Sequence, residues 1–152
     1  MVRSGRLPAR DVSRALRDAG AVEVELDEGA GVALADDLDP VAEPGPWVRL
    51  LPALDPTVMG WTGRRWFLGE HGPILFDRTG NAGPTVWCDG RVVGAWARRR
   101  DGEVVFRLLE DVGADATRAV EEEAARLTGW IGTANLAPRA RAASPLEREL
   151  GG

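Results

Sequence analysis

The chain has 152 residues, 44% of them apolar, and a formal net charge of −5; this is enough to build one ordinary domain or two small lobes, and it argues against a whole-molecule electrostatic grip on nucleic acid. No run approaches the roughly 18 uninterrupted apolar residues of a membrane span, and the start Met1-Val-Arg-Ser-Gly-Arg lacks a signal peptide's apolar stretch, so a cytoplasmic protein without membrane contact is expected. One cysteine, Cys88, and one histidine, His71, leave no internal disulfide and no usual Cys/His zinc set, and no metal or cofactor is expected.

Charge is distributed in blocks. Residues 1–20 carry five Arg against two Asp, and residues 21–46 carry eight acids and no base. Residues 47–109 hold nine Arg against six acids, and residues 110–131 hold six acids against two Arg. An anion-binding surface would therefore draw on the first and third blocks. All 19 basic residues are arginine, a skew that a GC-rich genome explains more simply than selection for bidentate phosphate contacts.

In chain order, residues 8–19 (PARDVSRALRDA) predict a helix, with Pro8 tolerated in the first turn and Gly20 at the stop. Val12, Ala15, Leu16 and Ala19 fall on one face, while Arg10, Arg14 and Arg17 line the other. Val22, Val24 and Leu26 then alternate with Glu23 and Glu25 as a half-buried strand does, and a turn at Asp27–Gly31 returns the chain through Val32-Ala-Leu34. Helix followed by hairpin is the order of the second half of a winged helix, in which the last helix enters the major groove and the hairpin forms the wing. The same pattern fits an ordinary amphipathic helix on a hairpin with solvated arginines. The acids of that hairpin sit where a DNA-touching wing would prefer bases.

Residues 1–36 are thus a partial winged-helix lobe, and 37–46, acidic and proline-rich, a linker. Residues 47–138 form a β-rich lobe. It starts with a short strand at Trp47, broken at Pro52 and Pro56, and continues through 64–69 and 72–77 to the turn-rich loop Arg78-Thr-Gly-Asn-Ala-Gly-Pro84. Three strands follow in meander order, Thr85–Cys88, Arg91–Arg98 and Glu103–Leu109, joined by turns at Asp89-Gly90 and Asp101-Gly102. Alternation sets Val86 and Cys88 against Thr85 and Trp87, and Val92 and Gly94 against Val93 and Ala95. Residues 114–131 predict a long helix that closes the sheet, with Val120, Ala124, Leu127 and Ile131 in one stripe. Thr133–Ala137 is read as a possible edge strand, and 139–152 as a tail with a short amphipathic turn at 145–150. The fold class is α+β: a partial winged helix, then an antiparallel meander sheet packed by one long helix.

The stretches LLPALDPTVMGW (50–61), LFDRTGNAGPTVWCDGRVVGAWA (75–97), EVVFRLLEDVG (103–113) and SPLEREL (144–150) resemble the winged-helix DNA-binding-domain proteins of actinobacteria. These are related to bacterial DNA glycosylases that unhook interstrand crosslinks and excise alkylated bases. The resemblance covers residues 8–150 and implies tandem winged helices followed by a β-rich lobe, with double-stranded DNA as partner. The catalytic signature of those glycosylases, Gln-hydrophobic-Gln or Gln-hydrophobic-Asp in the N-terminal part of the full-length protein, has no counterpart here, because the chain contains no glutamine. No catalytic residue is therefore carried over, and an N-terminal winged-helix region outside this chain is one expectation.

The remaining candidates for DNA contact are Arg64, Arg65, His71, Arg78 and Asn81 around the loops of 62–83, the Arg98-Arg99-Arg100 cluster at a hairpin tip, and the Arg10, Arg14 and Arg17 stripe. Each is equally a solvated or ion-paired surface residue. Trp61, Trp66, Trp87 and Trp96 offer stacking surfaces, although tryptophans spaced through a sheet lobe are more often core. Asp55, Asp77 and Asp89 read as turn-forming residues. Three functions remain open: a DNA-binding module, the C-terminal part of a glycosylase, and a non-catalytic interaction module.

Overall fold

The computed structural model describes residues 8–27, 29–60, 62–134 and 142–152. The chain divides into two compact units, Met1–Glu43 and Pro44–Gly152, and the division falls inside the acidic, proline-rich stretch.

The first unit is a helix, α1 (Ala9–Asp18), and an antiparallel hairpin of β1 (Ala21–Leu26) and β2 (Gly29–Leu34). The helix stops where Gly20 adopts a left-handed φ of 66°, a conformation glycine enters without a Cβ penalty. The return strand begins at Gly29, earlier than the glycine-rich turn suggested, pairing Leu26 with Gly29 and Glu23 with Val32. None of this unit's described residues is buried, and Val12, Val22, Leu26, Val32 and Leu34 are all exposed. The apolar periodicities are real, but the helix and hairpin alone do not enclose a core.

The second unit is built on a four-stranded antiparallel sheet in the order β3 (Val48–Leu51), β4 (Thr85–Cys88), β5 (Arg91–Arg98), β6 (Val104–Leu108). The β4–β5 turn is the expected two-residue one: Asp89 (φ 46°) and Gly90 (φ 81°) are both left-handed, as a primed hairpin turn requires. Asp89 also fixes the start of β3, because its Oδ1 accepts the Trp47 N–H at 2.7 Å.

One face of the sheet is covered by α5 (Ala114–Ile131), which packs Val120, Ala124 and Ile131 against Val48, Leu50, Val86, Val93 and Val104. The predicted stripe is the one that packs, with Leu127 at its partly buried margin. The opposite face is covered by four short helices: α2 (Pro56–Gly60), α3 (Arg65–Leu68), α4 (Gly72–Leu75) and α6 (Pro145–Gly151). Their Val58, Phe67, Leu68, Leu75 and Leu146 meet Trp87, Val92 and Ala95, and the Phe67 and Trp87 rings stack at 5.3 Å. The unit is thus three layers deep, with the mixed α+β composition read from the sequence.

Three details differ from the sequence pattern. Strict alternation fails in β5, where Val92 pairs with Trp87 and Gly94 with Val86, leaving Val93 without a partner across the strand. This bulge puts Val92 and Ala95 on one face and Val93 and Trp96 on the other. The broken segment after β3 is helical, since the Asp55 carboxylate accepts the Thr57 N–H at 2.9 Å and Pro56 suits a first helical turn. Finally, 145–151, expected to hold only a short turn within a tail, is a packed helix with Leu146 fully buried. Thr133 lies in a turn rather than an edge strand, and residues 135–137 of that expectation, like Trp61, lie outside the described residues.

Candidate nucleic-acid interface

The candidate residues fall in three places. Arg10, Arg14 and Arg17 line the exposed face of α1 in the first unit, where Arg10 approaches Asp11 at 3.6 Å and Arg14 approaches Asp18 at 3.6 Å. The Arg17 guanidinium has no such partner among the described residues.

In the second unit the arginines of 64–100 are unequal. Arg64 donates to the Val58 carbonyl at 2.8 Å and lies 4.5 Å from the Phe76 ring centroid, which ties α2 to the end of α4. Arg65 is paired with Glu70. Arg98 caps the C-terminal end of α5, donating to the carbonyls of Gly132 at 2.6 Å and Ala134 at 2.9 Å as well as to Gly102 at 3.2 Å; cations are favoured at that end of a helix. Arg99 pairs with Glu103 at 3.0 Å. Arg78 and Arg100 are exposed and carry no partner among the described residues.

His71 precedes the first turn of α4, its Nε2 3.6 Å from Glu110, and Glu110 also receives both oxygens' worth of contact from Arg91 at 2.8 and 2.9 Å. This network joins α4 to the end of β6. Among the described residues no group of three or more His, Cys, Asp or Glu side chains is arranged to hold a metal ion. The thiol of Cys88 is buried, and that burial, with Asp89 alongside, pushes it above its ordinary range, so it packs as an unreactive apolar group.

The loop that carries Arg78 is built around a buried carboxylate. Asp77 accepts the backbone N–H groups of Thr79 (2.8 Å) and Asn81 (2.9 Å), the Thr79 hydroxyl (2.7 Å) and the Asn81 side-chain amide (3.1 Å). The Asn81 backbone bond contributes most to holding this carboxyl far below the usual carboxylate range, the others adding to it against the cost of burial. Asn81 also donates to the Thr79 hydroxyl at 2.9 Å, so its amide is occupied in shaping the loop. With the polar groups of the loop bonded to one another, Arg78 is left exposed to solvent.

Next to it α6 docks through Ser144, which is completely buried. Its Oγ accepts the Glu147 N–H while Glu147 accepts the Ser144 N–H, a capping box. Docking requires Gly83: a Cβ there would meet Ser144 Oγ at 2.6 Å. Between α4, the 77–81 loop and α6 lies an open cleft of about 610 Å³ lined by Pro73, Phe76, Asp77, Arg78, Pro145 and Arg148. Arg148, which donates one N–H to Ala143 at 2.6 Å, was not among the candidates, because its position read as tail; the Ser144-Pro-Leu-Glu147 capping signature was the available signal.

Of the tryptophans considered for stacking, Trp87 and Trp96 are core, and their indole N–H groups are satisfied by Thr85 Oγ1 (2.9 Å) and the Leu51 carbonyl (2.8 Å). Trp66 on α3 is 62% exposed, and Trp130 on α5 is 77% exposed.

An α+β fold that leaves Arg17 on α1, Arg78 and Arg100 without partners among the described residues is compatible with a nucleic-acid-handling protein. The chain belongs to the AlkZ-like DNA glycosylase family, whose model matches residues 4–130. Among solved structures it is similar to the DNA glycosylase AlkZ of Streptomyces sahachiroi, at 26% identity and a TM-score of 0.56 over 81% of this chain and 35% of that one. The chain therefore spans about a third of the length of that relative. No curated protein matches it significantly.

Proposed function

We propose that this chain is a DNA-binding segment of a DNA-repair protein and that it does not itself excise bases. Its family membership over residues 4–130 carries the reading. On this reading α1 and the β1–β2 hairpin are the second half of a winged helix, with Arg17 the arginine of the α1 stripe most available to a phosphate. The partly winged lobe, none of whose described residues is buried, is completed by further winged-helix polypeptide. Contacts from the second unit come from Arg78 and Arg100, whose guanidinium groups have no partner among the described residues, more than from Arg64, Arg98 or Asn81, which are held by their own fold. Base excision belongs to residues outside this chain, since the glutamine-based motif of related glycosylases has no position in a chain without glutamine.

Fluorescence anisotropy with a labelled duplex tests the reading. Binding that weakens linearly on a log–log plot of affinity against salt, with a slope of about −0.9 for each phosphate neutralised, is the expected result. Absence of binding at low salt refutes it. Release of an alkylated base by the chain alone would overturn the non-catalytic part.

A second reading, an interaction module, has one observation in its favour: the exposed Val12, Val22, Leu26, Val32 and Leu34 of the first unit. A stable dimer by light scattering, with no duplex binding, would replace the first reading by this one.

A further inference from the structure

The cleft beside the 77–81 loop joins two kinds of surface that a nucleotide requires. Its charged element is the pair Arg78 and Arg148. Arg78 has no partner among the described residues, and Arg148 donates one N–H inward to Ala143, which leaves its other donors available. Guanidinium forks match the oxygens of a phosphate better than a point charge does. The flat apolar element consists of Pro73, Phe76 and Pro145, the Phe76 ring being held in place by the Arg64 guanidinium at 4.5 Å.

Among the described residues Asp77 is the one anion on the lining. Four donors from within the loop already surround its carboxylate, so its charge is directed into the loop rather than offered to the cleft. At about 610 Å³ the space lies within the roughly 300–1,000 Å³ typical of small-ligand sites. The backing is stiff, since the loop is closed by the Asp77 network and α6 is fixed by its capping box against Gly83.

We propose that this cleft takes one nucleotide of a DNA strand, its phosphate between Arg78 and Arg148 and its sugar and base against Phe76 and the two prolines. The proposal rests on the DNA-binding reading above and adds the place where a strand is held. A free nucleotide shares the same chemistry, and the experiment separates the two sources.

The full-length chain, labelled with ¹⁵N, is titrated with deoxyadenosine monophosphate, with deoxyadenosine and with inorganic phosphate, and duplex affinity is measured in parallel by anisotropy. The monophosphate is expected to shift the amides of residues 76–81 and Arg148, inorganic phosphate to do so more weakly, and deoxyadenosine least. Arg78→Ala is the decisive variant, because Arg78 is exposed and has no hydrogen-bond or ion-pair partner among the described residues; it should abolish the shifts, weaken duplex binding roughly threefold to tenfold and reduce the salt slope by about 0.9. Arg148→Lys, which keeps the charge but loses the fork, should weaken binding less, and Arg118→Ala on α5 should leave it unchanged.

Wild-type affinity and slope in Arg78→Ala, with no shifts around residue 78, overturn the cleft proposal while leaving the DNA-binding reading intact. Absence of duplex binding by the wild type overturns that reading, and the monophosphate titration then decides the cleft alone: shifts that vanish in Arg78→Ala sustain it as a free-nucleotide site, and no shifts end it.

Discussion

Gly83→Ala is expected to loosen α6 although the substitution is harmless to the backbone. Gly83 is not in the left-handed region, so a Cβ is conformationally permitted and by itself stabilises by about 0.4–1 kcal/mol through the unfolded state. Against this stands the contact: the new Cβ would lie 2.6 Å from Ser144 Oγ, 3.1 Å from Ser144 Cβ and 3.3 Å from the Leu75 carbonyl. Ser144 is fully buried and cannot turn away without releasing the cap of α6, which costs about 1 kcal/mol. Overpacking of this kind costs typically 1–3 kcal/mol, and the balance is a loss of about 1–2 kcal/mol, or a fall of roughly 3–8 °C in melting temperature. Ser144→Gly removes the two nearest of the three crowding atoms while keeping an acceptable cap residue, leaving only the Leu75 carbonyl at 3.3 Å, so Gly83→Ala should cost much less in that background. The assay is a double-mutant cycle by urea denaturation followed through tryptophan fluorescence, since Trp87 and Trp96 lie in the two core clusters. A coupling of about 1–2 kcal/mol is expected. Additive effects would refute the reasoning, because they would mean that α6 does not rest on Gly83 through Ser144.

Leu146→Ala should cost about 2–4 kcal/mol in the same denaturation assay, since Leu146 is 2% exposed among Leu75, Trp87 and Val92; a loss below about 0.5 kcal/mol would show that α6 is not part of the core. Arg98→Ala should destabilise by roughly 1–2 kcal/mol by freeing the carbonyls of Gly132, Ala134 and Gly102, and Arg98→Lys should recover only part of this because one ammonium cannot reach three carbonyls; full recovery by lysine would rule out the forked cap. Glu149 receives a hydrogen bond from Arg107 at 2.6 Å, and this holds its carboxyl below the ordinary 4.5. A depressed folded value means that the pair's contribution is complete above pH 4.5 and fades as pH falls through the lowered value. The gap in urea midpoint between wild type and Glu149→Gln should therefore be open at pH 7 and closed in acid; a gap independent of pH would exclude the pair as its source.

The parts of the fold legible in the sequence are those whose information is local. The β4–β5 turn is written in Asp89-Gly90, the stop of α1 in Gly20, and the packed face of α5 in a stripe spanning three turns. The helices α2, α3 and α4 are four or five residues long, too short for a 3.6-residue period to register, and they are held by the Asp55 cap and by tertiary insertion of Val58, Phe67 and Leu75. Alternation in β5 misleads because a bulge adds one residue to the count. The sequence shows α6 only as an amphipathic turn at 145–150; that it is a helix docked on the core lies in the Ser144–Glu147 capping box, a side-chain signal that leaves no trace in hydropathy.

Arginine shows the same division at the level of function. Sequence gives the charge of a residue but not how its donors are used, and those partners are often remote: Arg98 bonds carbonyls 34 and 36 residues away, and Arg107 meets a carboxylate 42 residues away. A cluster such as Arg98-Arg99-Arg100, uniform on paper, divides in the fold into a helix cap, an ion pair and a guanidinium with no partner among the described residues. Every fork already committed to a carbonyl or carboxylate must break that bond before it can hold a phosphate, and the loss offsets much of what the phosphate returns. On the reading proposed above, affinity for an anion follows uncommitted donors rather than charge density, so Arg78 at the edge of the cleft and Arg100 of the cluster, neither with a partner among the described residues, count for more than Arg98 and Arg99.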